Sequence, residues 1–305
     1  MKTGDGSLSF AICGQADGQW PPLRKNYDYL RRLFYMKATI LIDNIAKSPL
    51  KDEWGLSVFI EHEGKKILLD TGASSLFRSN AKKLGADLSD VDCAVLSHAH
   101  YDHADGMEEF FNHNSKAKFY LKEECKENCY GRRFIFSKYI GIKKGILKGF
   151  SHRIEYVKGD TEIEKGVYLI PHKTENLEAV GEKAGMYKRI NKKWVPDNFD
   201  HEQSLVVDTE KGLVIFNSCC HGGADNIIKE VASTFPEKRI YAIVGGFHLY
   251  KSTDSEVLAL AKRIEETGIE MVYTGHCTGN RAYGILKENL GEKCRQLSVG
   301  LVIEV

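Results

Sequence analysis

The sequence predicts a mixed α/β fold of four layers, with helices outside two facing sheets, an αββα sandwich. Three observations carry the prediction. A strand hairpin followed by strand–helix alternation occurs in the first half of the chain, and the same order returns in the second half. The 305 residues are 42% hydrophobic and 28% charged, which is globular composition with ample core for one large domain. The longest apolar runs, such as Leu213–Phe216 and Ile240–Val244, fall far short of the roughly 20 residues that cross a bilayer. No membrane association is expected.

Residues Met1–Tyr35 hold four glycines, a Pro21-Pro22 pair and no clean period, and read as an N-terminal appendage, an extended reading frame or an added leader. The domain proper then runs over 36–305. Thr39–Asp43 opens it as a strand. Leu56–Glu61 and Lys66–Asp70 are two strands joined at Glu63-Gly64, a hairpin signal. Ser74–Leu84 places Leu76, Phe77, Ala81 and Leu84 at helical spacing, with Ser74 or Ser75 as cap. Cys93–Leu96 is a short buried strand that ends in a polar loop. Downstream, Val167–Ile170 is a strand, and Ser204–Asp208 turns at Glu210-Lys211-Gly212 into Leu213–Phe216. Helix Ala224–Phe235, strand Arg239–Val244, helix Ser255–Thr267, strand Glu270–Tyr273, helix Ala282–Leu290 and strand Leu297–Glu304 complete the alternation.

Between the halves, about 119–200, the pattern is less regular and reads as a basic insertion. Phe119–Arg153 carries nine Lys/Arg against three Asp/Glu, a local net of +6 in a chain whose total is +1. Arg132, Arg133, Lys138, Lys143, Lys144 and Lys148 suit an anionic substrate, with Arg132 and Arg133 as candidate phosphate contacts; a solvated face is the alternative. A net charge near zero gives no whole-molecule field for nucleic acid, and the patch lacks a recognised nucleic-acid motif. Oligomeric state is not legible.

Eight cysteines are too dilute for a disulfide scaffold, and no basic region followed by an apolar stretch opens the chain, so a reducing, cytoplasmic context is expected. Cys125 and Cys129 stand four apart. They could form a metal or redox pair, but two thiols on adjacent turns of a helix is the preferred reading.

The strongest chemical signal is Ser97-His98-Ala99-His100-Tyr101-Asp102-His103. Three histidines and a carboxylate follow a buried strand within six residues, and neutral imidazole with carboxylate oxygen suits zinc, iron or manganese. This HxHxDH loop resembles the metallo-β-lactamase superfamily. The resemblance implies that His98 and His100 hold one metal and that Asp102 and His103 hold a second. Later strand ends offer further ligands: Cys219-Cys220-His221-Gly222-Gly223, Gly245-Gly246-Phe247-His248-Leu249 and Gly275-His276-Cys277-Thr278-Gly279. Together these motifs resemble the branch of dihydropterin–ribofuranosylaminobenzene-phosphate synthase homologues, over roughly 36–305, and the resemblance supports the αββα fold.

His221 and His276 are the expected later ligands, with His172 the alternative to His221. Many members place a bridging aspartate where this chain has Ser218-Cys219-Cys220. Cys219 is therefore a candidate thiolate ligand, or a packing residue at the strand end. The resemblance places Asp70 behind the metal loop, accepting an N–H from a ligand histidine; a turn carboxylate is the alternative. His248 is read as a donor to a phosphate or oxyanion, or as a buried structural histidine. His62, His113, His152 and His201 are expected at the surface.

The reading that follows is a metal-dependent hydrolase of a phosphorylated or otherwise anionic small molecule, with two divalent ions, zinc foremost, presenting hydroxide. Asp102 would hold the second ion and orient the nucleophile. Two alternatives stand beside it: a pterin/aminobenzene-ribose-phosphate condensing enzyme, and an iron-binding redox or metal-binding protein that draws on Cys125 and Cys129. No Ser–His–Asp triad competes, and the Gly222-Gly223 and Gly245-Gly246 pairs lack the spacing of a phosphate-cradling loop.

Overall fold

The computed structural model describes residues 35–305. The appendage expected at 1–35 lies outside the described residues, apart from Tyr35. The chain opens with β1 (Met36–Ile42), β2 (Ser57–His62), β3 (Lys65–Leu69), α1 (Leu76–Leu84) and β4 (Cys93–Val95). Two short helices, α2 (Tyr101–Ala104) and α3 (Met107–His113), lead to β5 (Lys118–Lys122), β6 (Tyr130–Arg133) and β7 (Phe136–Tyr139). Next come α4 (Ile146–Gly149), β8 (Ile154–Val157), β9 (Thr161–Glu164), β10 (Val167–Pro171), α5 (Glu178–Ala184), β11 (Met186–Ile190) and β12 (Lys193–Pro196). The second half holds β13 (Gln203–Thr209), β14 (Gly212–Phe216), α6 (Ala224–Thr234), β15 (Ile240–Gly246) and α7 (Asp254–Glu266). It closes with β16 (Met271–Gly275), α8 (Asn280–Leu290), β17 (Cys294–Gln296) and β18 (Val302–Glu304).

Two seven-stranded sheets form, in the orders β18-β1-β2-β3-β4-β5-β8 and β17-β16-β15-β14-β13-β10-β9. Side-chain alternation along the strands separates the layers. In β14, Val214 and Phe216 join Ile40, Val58, Ile60, Leu69 and Val95 of the other sheet in the central core. Leu213 and Ile215 point the other way, onto Ile227, Ile228 and Val231 of α6 and Val257 and Ile264 of α7. On the far side, Leu41, Phe59 and Leu68 pack against Phe77 and Ala81 of α1 and Met107 and Phe110 of α3. Four layers result, helix–sheet–sheet–helix.

The β2–β3 turn has both central residues at positive φ, Glu63 at 46° and Gly64 at 78°, as the right-handed twist of a hairpin demands. At α1 the capping hydroxyl is that of Ser74, which accepts from the Leu76 N–H at 3.1 Å, while Ser75 occupies the cap position without a side-chain bond. Helix α7 starts with a reciprocal Thr253/Glu256 box.

Three expectations change. The strand expected at Leu297–Glu304 is strand only at its end: β18 (Val302–Glu304) pairs with β1, while β17 (Cys294–Gln296), which pairs with β16 in the other sheet, stops just before Leu297. Gly300, at φ 85°, makes the turn between them. The segment 119–200 is largely integral to the sandwich, since β5, β8, β9 and β10 sit in the main sheets. A separate four-stranded sheet, β12-β11-β6-β7, is what stands apart. Cys125 and Cys129 lie on a turn, not a helix. Asn128 there exchanges two bonds with the backbone of Arg189, and Glu127 accepts from the N–H groups of Gly145 and Leu147, so this stretch bridges neighbours rather than coiling. Among the described residues, no helix is long and apolar enough to cross a membrane.

Candidate metal centre

Strands β3 and β4 run parallel, as do β14, β15 and β16, so the residues that follow them collect at one edge of the sandwich. Asp70, His248 and His276, each just past a strand, and Cys220, in the loop beyond β14, all have φ between 45° and 57°. Backbone held in this region by non-glycine residues costs about 1–3 kcal/mol each and clusters at functional sites. Gly245 carries a separate demand. A Cβ there would lie 1.8 Å from the Asn217 carbonyl oxygen, so β15 can pass the end of β14 only with glycine.

Four histidines share one hydrogen-bonding logic. Ser97 Oγ donates to Asp70 and so accepts from His98 Nδ1 at 2.8 Å. His103 Nδ1 donates to Asp70 Oδ2 at 2.8 Å. His221 Nδ1 donates to the buried Glu202 carboxylate. Asn44 Nδ2 is committed to the His276 carbonyl, so its oxygen accepts from His276 Nδ1 at 3.1 Å. Each ring therefore carries its proton on Nδ1. The Nε2 atoms of His98, His221 and His276 are buried with no partner, and His103 Nε2 faces Cys219 Sγ at 3.4 Å. A buried nitrogen lone pair without a donor is costly unless a cation occupies it.

Three donor sets share Cys219, one of them with His248 and Cys277 and two with the four histidines. His98, Cys219 and His221 offer atoms within 4.8 Å of one another, and so do His103, Cys219 and His276. His100 stands beside the first set, its ring centroid 4.6 Å from His98 and 5.2 Å from His221. Asp102 stands beside the second, its Oδ2 3.7 Å from His103 Nε2 and 3.5 Å from His276 Nε2. Nitrogen, sulfur and carboxylate oxygen in such sets fit a divalent ion of the zinc type.

Electrostatics agree with that fit. Burial, reinforced by the neighbouring rings, holds His98 and His100 well below the usual imidazole range, so both are neutral and able to ligate. Burial alone would raise Asp102, but His103 and His276 outweigh it and keep the carboxyl ionised. Glu202 is likewise held well below the carboxylate range, against its burial, by His172 and His221.

The profile of the Metallo-beta-lactamase superfamily matches residues 55–223, more than half of the chain. The chain belongs to the metallo-beta-lactamase superfamily. The crystal structure of Tm1679, described as a metal-dependent hydrolase of this superfamily, superposes with a TM-score of 0.76 at 34% identity, covering 88% of this chain and 99% of that one. A relative from Methanocaldococcus jannaschii, 7,8-dihydropterin-6-methyl-4-(beta-D-ribofuranosyl)-aminobenzene-5'-phosphate synthase, is 28% identical over 84% of this chain and 92% of its own length. An uncharacterised protein of the same archaeon is 26% identical over 80% of this chain and 91% of its own.

Within this superfamily fold, Asp70 is fully buried and accepts from Ser97 N–H, Ser97 Oγ, His103 Nδ1 and Ser218 Oγ at 2.6–2.8 Å. His172 has both nitrogens facing carboxylates, Nε2 on Glu202 and Nδ1 on Glu230. Although burial opposes it, these push His172 up to about 9. It leaves no lone pair for a metal. His248 lines a cavity of about 320 Å³ above the histidines, with Nδ1 buried and unpartnered and its backbone N–H donating to Cys277 Sγ at 3.2 Å. Trp54, Tyr101, Tyr250 and Lys251 line the same cavity, as do Gly131, Ile140, Gly185 and Met186 of the small sheet and its flanks.

Arg132 and Arg133 do not line this cavity. The Arg132 guanidinium stacks over Trp194 at 4.7 Å and Tyr187 at 5.2 Å, and that of Arg133 over Phe134 at 5.8 Å. His62 and His201, expected at the surface, are buried, whereas His113 and His152 are exposed. His201 lies in a second cluster with His100, Cys129 and Asp197. Its Nδ1 accepts from the Ala99 N–H at 3.2 Å, which leaves its proton on Nε2, 3.2 Å from Asp197 and 3.6 Å from Cys129. That ring is a satisfied donor, not a ligand. The Cys125 thiol donates to the His201 carbonyl at 3.3 Å, so neither cysteine of the pair joins the four-histidine edge.

Glu202 and Asn44 were not anticipated. Glu202 precedes β13, which runs antiparallel to β14, so the start of β13 lies beside the end of β14. A charged residue abutting an apolar strand at that edge was the available signal.

Proposed function

We propose that this chain is a metal-dependent hydrolase of a phosphorylated or otherwise anionic small molecule. In this reading His98, His100 and His221 would hold one zinc ion, Asp102, His103 and His276 would hold another, and Cys219 would serve both. The observation that carries it is the set of four imidazoles whose Nδ1 protons are all committed behind them while their Nε2 atoms gather around one thiol and one carboxylate. Such ions supply Lewis acidity and lower the pKa of water, so that it can attack near neutral pH. The chain's own groups do the positioning. Asp70, Glu202 and Asn44 fix the ring orientations. Asp102, ionised and 10% exposed at its side chain, can accept a hydrogen bond from the attacking water and orient it.

His248 lines the cavity, and its ring can donate to the developing oxyanion or a phosphate oxygen. Lys251 places a cation on the cavity wall. Arg132 then acts through the small sheet, where it stacks on Trp194 beside the cavity-lining Gly131, rather than by direct contact, and Arg133 has no part in it.

A second reading, condensation of a pterin with an aminobenzene ribose phosphate, is favoured by the similarity to the archaeal synthase over 92% of its length. The edge-on pair Trp54 and Tyr250, 5.5 Å apart beside the histidines, would suit a planar ring. Product analysis of the metal-loaded chain with phosphodiesters, lactones and thioesters, and separately with the two condensation partners, decides between them. One hydrolysed product is expected; a joined product overturns the hydrolase reading. Cobalt loading tests the thiolate independently of turnover. A sulfur-to-metal charge-transfer band is expected, and Cys219→Ser should abolish it.

A further inference from the structure

The cavity floor holds a contact that the metal chemistry does not use. Cys277 Sγ lies 3.5 Å from Cys219 Sγ, the one thiol–thiol hydrogen bond among the described residues. Both thiols line the cavity, and both are otherwise buried, at 3% and 1% exposure. They come from separate loops, Cys219 just after β14 and Cys277 in the single turn after β16, and neither sulfur lies within a strand. Gly246 leaves the space around Cys277, since a Cβ at that position would stand 2.5 Å from its sulfur. Cys277 also receives the His248 backbone N–H at 3.2 Å, which fixes the position of this sulfur. The two sulfurs need to close by about 1.5 Å to reach disulfide length.

We infer that Cys219 and Cys277 form a redox modification site: hydrogen peroxide entering the cavity converts them to a disulfide. Cys219 faces His103 Nε2 at 3.4 Å and belongs to both donor sets of the proposed metal centre, whereas Cys277 belongs to neither and stands with Cys219 beside the His248 ring, so Cys277 attacks first. Its sulfur takes one peroxide oxygen, the O–O bond breaks, and hydroxide leaves as water, giving a sulfenic acid. Cys219 sulfur then attacks that sulfur, the S–O bond breaks, and a second water leaves. Two thiols are oxidised by two electrons, one peroxide is reduced to two waters, and the chain loses two hydrogens.

The consequence for metal rests on the proposed reading that Cys219 serves both donor sets. A disulfide removes that shared sulfur at once from the His98/His221 and the His103/His276 groups. Oxidation then expels metal, and reduction with metal resupply restores it. Neither Cys125 nor Cys129 substitutes, because their sulfurs are engaged with His201.

The test is stoichiometric peroxide on the zinc-loaded full chain, read by intact mass, non-reducing peptide mapping and a zinc-sensitive dye. Expected results are a mass lower by two hydrogens, a crosslink between the peptides bearing Cys219 and Cys277, and zinc release reversed by dithiothreitol plus zinc. Cys277→Ser should show no crosslink and retain its zinc under the same dose. Absence of the crosslink in the unaltered chain overturns the site, even where Cys277→Ser fails to fold. A crosslink without zinc release would leave the disulfide standing and overturn the shared-ligand reading of Cys219.

Discussion

The two halves of the molecule supply the metal edge in different ways. The first half delivers His98, His100, Asp102 and His103 from a single loop, with Asp70 one strand away to brace it. The second half delivers Cys219 with His221, His248 and His276 with Cys277 from three separate strand ends. It braces them with Glu202 from just before a fourth strand, and with Asn44 borrowed from the first half. Concentrated donors depend on one loop holding its shape. Dispersed donors depend on strand register, and each can be weakened singly.

That contrast is most exposed by removing donors. His98→Ala with His100→Ala should strip at least one equivalent of metal from the purified chain, measured by elemental analysis, while His276→Ala alone should weaken binding without emptying the edge. Equal losses from the two would erase the distinction between the halves.

Asp70 is the point where the halves meet, because Ser97 and His103 of one and Ser218 of the other all donate to it. Asp70→Ala leaves these donors buried and unpaired. A loss of about 3–5 kcal/mol in denaturant unfolding is expected, the scale for breaking a buried charged pair. A loss confined to metal affinity would place the brace in the first half only.

Glu202→Gln tests the second half on its own. It removes the charge behind His221 but keeps the shape, so zinc affinity should fall about 10–100-fold, as for other partners of ligand histidines. Unchanged affinity would show that His221 is oriented by packing against Phe199, whose ring lies 4.2 Å away, rather than by Glu202.

The smallest effect concerns pH. His172 is raised from an ordinary 6.5 to about 9 by Glu202 and Glu230, although burial opposes the shift. A folded value above the unfolded one means that the imidazolium stabilises the fold fully below pH 6.5 and loses that contribution as pH rises through about 9. The melting temperature should decline across that window, and His172→Gln should flatten the decline. A His172→Gln chain with the same slope would assign the decline to other groups.

These contrasts also explain what could be read from sequence. The HxHxDH loop was legible because its donors are neighbours in the chain, and chemistry at short spacing survives without a fold. The hairpins and the second-half alternation were legible because side-chain period and turn residues are local properties. The start of the C-terminal strand was not, because Leu297 and Ile303 look alike as apolar residues, yet Leu297 follows β17 as loop and only the turn at Gly300 sends β18 across to β1. His201 was misjudged because exposure is a property of what packs around a residue, here Cys129 and Asp197.

The sequence by itself determined the layer architecture, the superfamily resemblance and the residue types at the histidine edge, since each is written in periodicity or in contiguous motifs. Tertiary structure alone decided which donors share Cys219, that Glu202 stands behind both His172 and His221, and that Arg132 stacks on Trp194 rather than facing the cavity. The physical reason is range. Periodicity acts over a few residues, but a lone pair finds its partner across 19 to 232 positions of chain, and only strand register brings those ends together.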